Sequence, residues 1–100
     1  MRGGVEEFAG REAEMLDALG ALVRTESPST DHAALERCAA ELAAIGESLL
    51  GAAPKIVRED GVPRVTWAGP SPRVLILCHY DTVWPVGTIR DRDFRVSEGR

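Results

Sequence analysis

Apolar positions recur along this chain with two different periods, and the change of period divides it. Between Arg11 and Arg24, Met15, Leu19 and Leu22 follow one another at spacings of four and three, with Leu16 and Val23 beside them. That spacing predicts one face of an amphipathic helix. Glu12 and Glu14 near its start and Arg24 at its end suit the helix dipole. The helix should stop before "TESPST", residues 25–30, because Pro28 disfavours helical geometry in the residue before it. A second line, Leu35, Cys38, Leu42, Ile45 and Leu49, steps by three and four and predicts a second helix. Thr30 or Asp31 can cap its start, and Gly51 is a stop. Gly46 inside it costs about 1 kcal/mol against alanine, which the packed face can absorb. Residues 1–10, with three glycines, read as a flexible end, and residues 11–100 as one continuous domain portion.

After Gly51 the helical period is lost. "KIVRE" and "VPRVTWA" flank Asp60-Gly61, a two-residue hairpin turn. Pro63 cannot donate a ladder hydrogen bond, so its strand should lie at an edge or pair only beyond that residue. "VLILC", residues 74–78, does not alternate, which predicts an interior strand covered on both faces. Pro85 and Gly87 then break regular structure. "FRVSEGR" begins a further strand, with Glu98-Gly99 as a turn. The order α, α, β, β, β implies an α/β fold: two amino-terminal helices, a β-hairpin and a buried strand.

Composition narrows the function classes. At 44% hydrophobic residues a core is within reach, and wholesale disorder is not expected. The net charge of −4 lacks the basic face of a nucleic-acid binder, and no stretch is apolar enough to span a membrane. Cys38 and Cys78 form no C-x-x-C pair and are too few for a disulfide framework. The first residues carry no apolar signal segment. The expected setting is soluble, reducing and cytoplasmic.

The candidate chemistry stands where the apolar run ends. "RVLILCHYDTVW" places His79 and Asp81 directly after five apolar residues. In open α/β sheets, ligands gather at the carboxyl ends of strands. In extended chain, residues two apart point the same way, so His79 and Asp81 can face one pocket with Tyr80 turned away. A neutral imidazole nitrogen binds zinc at about 2.0–2.1 Å, and a carboxylate accepting the proton on the other ring nitrogen orients the ligand. That makes His79 the metal ligand and Asp81 its orienting partner, although Asp81 could itself touch the metal. A satisfied structural histidine is the ordinary alternative. A phosphatase of the haloacid dehalogenase type would need a nucleophilic aspartate at the position of His79, and histidine cannot supply that carboxylate.

"VLILCHYDTVWPVGTI", followed by "FRVSEGR" and preceded by "LVRTESPST", resembles the first metal-binding segment of the zinc metallopeptidases related to glutamate carboxypeptidase, aminoacylase and succinyl-diaminopimelate desuccinylase. The resemblance spans roughly residues 12–100, and "WPVGTI" points toward the glutamate carboxypeptidase-like branch. It implies the beginning of a layered α/β zinc-hydrolase catalytic domain. His79 then corresponds to a zinc ligand and Asp81 to the catalytic-site aspartate that orients it. It also implies two zinc ions per complete enzyme and metal-assisted hydrolysis of the amide bond of a peptide or N-acyl amino acid. Such enzymes are several times longer. Their remaining ligands, their general-base glutamate and a smaller dimerisation domain, hence a homodimer, would lie beyond Arg100. Cys78 departs from the glycine of many relatives and reads as a small buried packing residue. With one histidine and at most one carboxylate, the chain itself should bind metal weakly, hydrolyse nothing measurable and dissolve poorly. A small α/β interaction module, with acidic helices that bind a partner, is the non-enzymatic alternative.

Of the other residues, "SPST" reads as a loop with a helix cap rather than a phosphosite or hydroxyl cluster. His32 faces solvent at a helix start. Trp67 packs on the sheet, and Trp84, which closely follows the proposed site, could line a substrate cleft.

Overall fold

The computed structural model describes residues 4–100. Its elements are α1 (Val5–Ala9), α2 (Glu12–Arg24), α3 (His32–Leu50), β1 (Lys55–Glu59), β2 (Val62–Thr66) and a 3-10 turn at Thr88–Arg90. The result is a mixed fold of helices and a two-stranded antiparallel sheet. No helix among the described residues is long and apolar enough to cross a membrane.

Both long helices form where the periodicity places them. Asp31, not Thr30, caps α3, its side chain accepting from the Ala34 N–H at 3.0 Å. Gly51 ends that helix at φ 74°, a left-handed conformation that suits glycine. At the other end of the chain lies the stretch expected to be flexible, residues 1–10. Residues 1–3 lie outside the described residues, and Val5–Ala9 make a short exposed helix ended by Gly10.

The buried faces are only partly those expected. On α3, Leu35 and Cys38 are buried with Ala34 and Ala39, Leu42 and Ile45 are half-buried, and Leu49 is exposed. On α2, of the expected line Met15, Leu19 and Leu22, only Leu22 is half-buried, as is Leu16 beside it; Met15, Leu19 and Val23 are exposed, and the one buried residue is Gly20. Phe94, arriving from the far end of the chain, lies against Gly20, where an added Cβ would meet its ring at 3.0 Å. Arg24 holds it there, donating to the Phe94 carbonyl at 2.9 Å and lying over the ring at 5.4 Å from its centroid.

The hairpin follows its turn chemistry. Asp60 and Gly61 take φ of 52° and 78°, as a type I′ turn requires, and Glu59 pairs with Val62. The pair flanking a two-residue turn exchanges the ladder bonds and the next pair does not. Pro63, opposite Arg58, is that next residue, so its missing N–H costs nothing and its strand pairs on either side of it. β2 packs on α3 through buried Pro63 and through Trp67 just beyond the strand. Trp67 covers Gly46: a Cβ there would stand 2.1 Å from the indole Cζ2. The indole Nε1–H donates to the Ala52 carbonyl at 2.8 Å. Gly46 is therefore the contact surface for the indole, which explains a residue that helix propensity alone disfavours.

The interior strand does not form. Residues 74–78 join no ladder, and Val74, Leu75, Ile76 and Leu77 are 78–82% exposed. Cys78, expected as buried packing, is exposed too. A buried strand needs neighbours on its edges and a layer on each face, and the described helices and hairpin supply neither for this stretch. "FRVSEGR" is likewise not a strand. Its Glu98-Gly99 turn is present, at φ 52° and 75°, closed by Ser97 and Arg100 bonding each other at 2.8 and 3.0 Å.

Candidate functional site

The largest fully buried side chains, Leu35, Cys38, Pro63 and Ser27, lie where the first half of α3 meets β2 and the "TESPST" segment. That segment is a strap. The Thr82 N–H donates to the Ser27 carbonyl at 2.8 Å, and the Ser29 N–H donates to the Thr82 carbonyl at 3.0 Å. These two bonds make a parallel bridge between Pro28 and Thr82. A parallel bridge centred on residue 28 uses the carbonyl before it and the N–H after it, so a proline there loses nothing.

Three further contacts hold the loop that follows the exposed stretch. The Ser27 hydroxyl, on a residue only 2% exposed, donates to the Tyr80 carbonyl at 2.6 Å. The Tyr80 hydroxyl donates to the Pro63 carbonyl at 2.6 Å, and burial pushes its pKa up. The Glu26 carboxylate accepts from the Gly87 N–H at 2.9 Å and the Ile89 N–H at 3.3 Å, capping the 3-10 turn within "WPVGTI". Tyr80, Thr82, Gly87 and Ile89 are thus tied to the strap, although the run before them is not covered.

Within this frame His79 and Asp81 meet. His79 Nδ1 lies 3.1 Å from Asp81 Oδ1 and 3.1 Å from the Asp81 carbonyl. A carboxylate and a carbonyl only accept, so Nδ1 carries a proton, and in the neutral imidazole Nε2 keeps the free lone pair. The other carboxylate oxygen, Oδ2, accepts from the Ser29 hydroxyl at 2.6 Å, a short charge-assisted bond. The Ser29 bond above all, and then His79, holds the Asp81 carboxyl below the usual carboxylate range. Tyr80 points elsewhere, to Pro63. The His79 side chain is 85% exposed and that of Asp81 43%. The two residues face each other in a loop, not from the end of a strand.

What the arrangement offers chemically is one neutral imidazole nitrogen, oriented by a carboxylate and open to solvent. That donor fits one position of a zinc site. Among the described residues no group of three or more His, Cys, Asp or Glu could hold a metal ion. Cys78 is exposed beside His79, and Cys38 is buried in the core with its thiol pKa pushed up by burial. Trp84 is 57% exposed, and its ring lies under Arg92, 5.4 Å from the guanidinium. His32 is exposed, its ring against the Gly61 turn. Ser27, Ser29 and Glu26 are the residues that pattern reading passed over. The signal for them is two serines around a proline, since an extended proline-bound segment leaves their polar groups in search of partners.

The chain matches no family model, no curated protein and no solved structure.

Proposed function

We propose that this chain carries the His-x-Asp element of a metal-dependent hydrolase acting on the amide bonds of peptides or N-acyl amino acids, of the glutamate carboxypeptidase and aminoacylase type. The observation that carries the reading is the His79 imidazole, held by Asp81 through Nδ1 at 3.1 Å with the opposite nitrogen unengaged. Zinc bound at Nε2 would supply Lewis-acid polarisation of a carbonyl and activation of water. The chain's own residues hold and orient: His79 donates the lone pair, and Asp81 keeps the proton on Nδ1. A catalytic zinc takes at least three protein ligands, so the site is completed by protein outside the described residues. A reducing cytoplasm suits the two free cysteines.

Zinc titration of the isotope-labelled chain, followed at the imidazole nitrogens, tests the reading. The expected outcome is a weak, saturable shift at His79 Nε2, absent in His79→Ala, with no turnover of an N-acyl amino acid. Zinc taken up at His32 or Cys78 while His79 stays unmoved would overturn it.

A second reading is favoured by the uncovered run Val74–Leu77. A contiguous exposed apolar surface marks a contact with another protein layer, as in a small α/β interaction module without catalysis. A fold whose melting is unaffected by zinc, with no His79 response, is the outcome that selects it.

A further inference from the structure

The Asp81 carboxylate is nearly half exposed, and an exposed aspartate ordinarily samples several rotamers. Something must select the one that faces His79. The imidazole is a poor candidate, because it is itself 85% exposed and, among the described residues, has no hydrogen bond except to Asp81. Ser29 is differently placed. Its backbone N–H is bonded to the Thr82 carbonyl at 3.0 Å, the residue before the strap's centre is buried, and Asp31 begins α3 two residues later. Its hydroxyl is therefore presented from a fixed backbone anchored in the core.

We propose that Ser29 is the positioning residue of this site: its hydroxyl, 2.6 Å from Asp81 Oδ2, turns Oδ1 toward His79 and so, together with the Asp81 carbonyl 3.1 Å from Nδ1, sets which imidazole nitrogen is left to bind a ligand. Order passes from the core to the strap, from the strap to Ser29, and through Asp81 to His79. The inference deepens the metal reading and rests on it for its purpose, but the tautomer it specifies is measurable without metal.

The experiment is long-range proton–nitrogen correlation of the labelled full chain at about pH 8. The chain has two histidines, so His32 serves as the internal control. The expected result is a majority Nδ1–H tautomer at His79, shifted toward Nε2–H by Ser29→Ala, where the Asp81 carbonyl alone still accepts from Nδ1, and restored by Ser29→Thr, which keeps a hydroxyl. The Thr82 amide, bonded to Ser27 and not to the Ser29 side chain, should stay protected in both variants and show an intact strap. Zinc affinity at His79 should fall about 10-fold in Ser29→Ala, the lower end for losing an outer-shell partner, and recover in Ser29→Thr. An unchanged His79 tautomer in Ser29→Ala, or a changed one that threonine does not restore, overturns the proposal. If the alanine variant loosens the strap, Asp81 χ1 couplings in the unmodified chain decide: one rotamer supports it and averaging overturns it. The two readings fail separately. Tautomer switching without any zinc response at His79 keeps Ser29 in its role and removes the metal. Equal zinc binding in both variants with an unmoved tautomer keeps the metal and removes Ser29.

Discussion

Gly46→Ala sets two physical rules against each other. Helix propensity says that alanine inside α3 should stabilise by about 1 kcal/mol. The packing says the opposite. A Cβ at Gly46 would stand 2.1 Å from Cζ2 and 2.3 Å from Cη2 of Trp67. Those are ring atoms, and the ring is tethered by its 2.8 Å bond to the Ala52 carbonyl, so no flexible chain end can swing aside. Forcing a methyl into such a contact costs about 1–3 kcal/mol, and displacing the indole forfeits a hydrogen bond of about 1 kcal/mol. Against the propensity gain, the net is a loss of about 1–3 kcal/mol. For a domain of this size, each kcal/mol lowers the Tm by about 4–8 °C. Thermal melting by circular dichroism, with tryptophan fluorescence as a second probe, measures it. The same substitution in a Trp67→Ala background should change sign and stabilise by about 1 kcal/mol, since only propensity remains. A higher Tm for Gly46→Ala alone would refute the packing. The consequence reaches the candidate site, because Trp67 seats the hairpin whose Pro63 carbonyl holds Tyr80.

Tyr80 is the chain's one tyrosine, so ultraviolet titration of phenolate reports it alone; burial should place its ionisation above the ordinary value of about 10. The unfolded chain then releases its proton first, so this group's contribution is intact below about pH 10 and is lost as pH rises through the folded pKa. A midpoint at or below 10 would contradict the buried tether. Thiol labelling should go to Cys78, which is exposed, well before Cys38, which is 1% exposed with its pKa raised by burial; equal rates would contradict the core. Ile76→Lys, in the uncovered run, should leave the unfolding free energy within about 0.5 kcal/mol of unchanged and reduce aggregation measured by light scattering. A large loss of stability would mean that the run is packed after all.

The parts of this protein legible in its sequence are those decided within a few residues. A cap at Thr30 or Asp31, the left-handed Gly51, the Asp60-Gly61 and Glu98-Gly99 turns and the periodic runs of α2 and α3 are each set by residues close together along the chain. The nearness of His79 and Asp81 is of the same kind, being set by a spacing of two. Other features required surfaces from far along the chain. α2 buries Gly20 rather than its Met15–Leu19 line because Phe94 arrives there, and Gly46 is needed because Trp67 lies over it. "VLILC" reads as buried because apolar residues are cheapest away from water, yet burial takes a second surface, and none of the described elements supplies it. The strap was the least visible of all. Ser27 and Ser29 are ordinary loop residues until the fold brings a segment more than fifty positions away against them, and hydrogen bonds between such distant segments leave no periodicity to read.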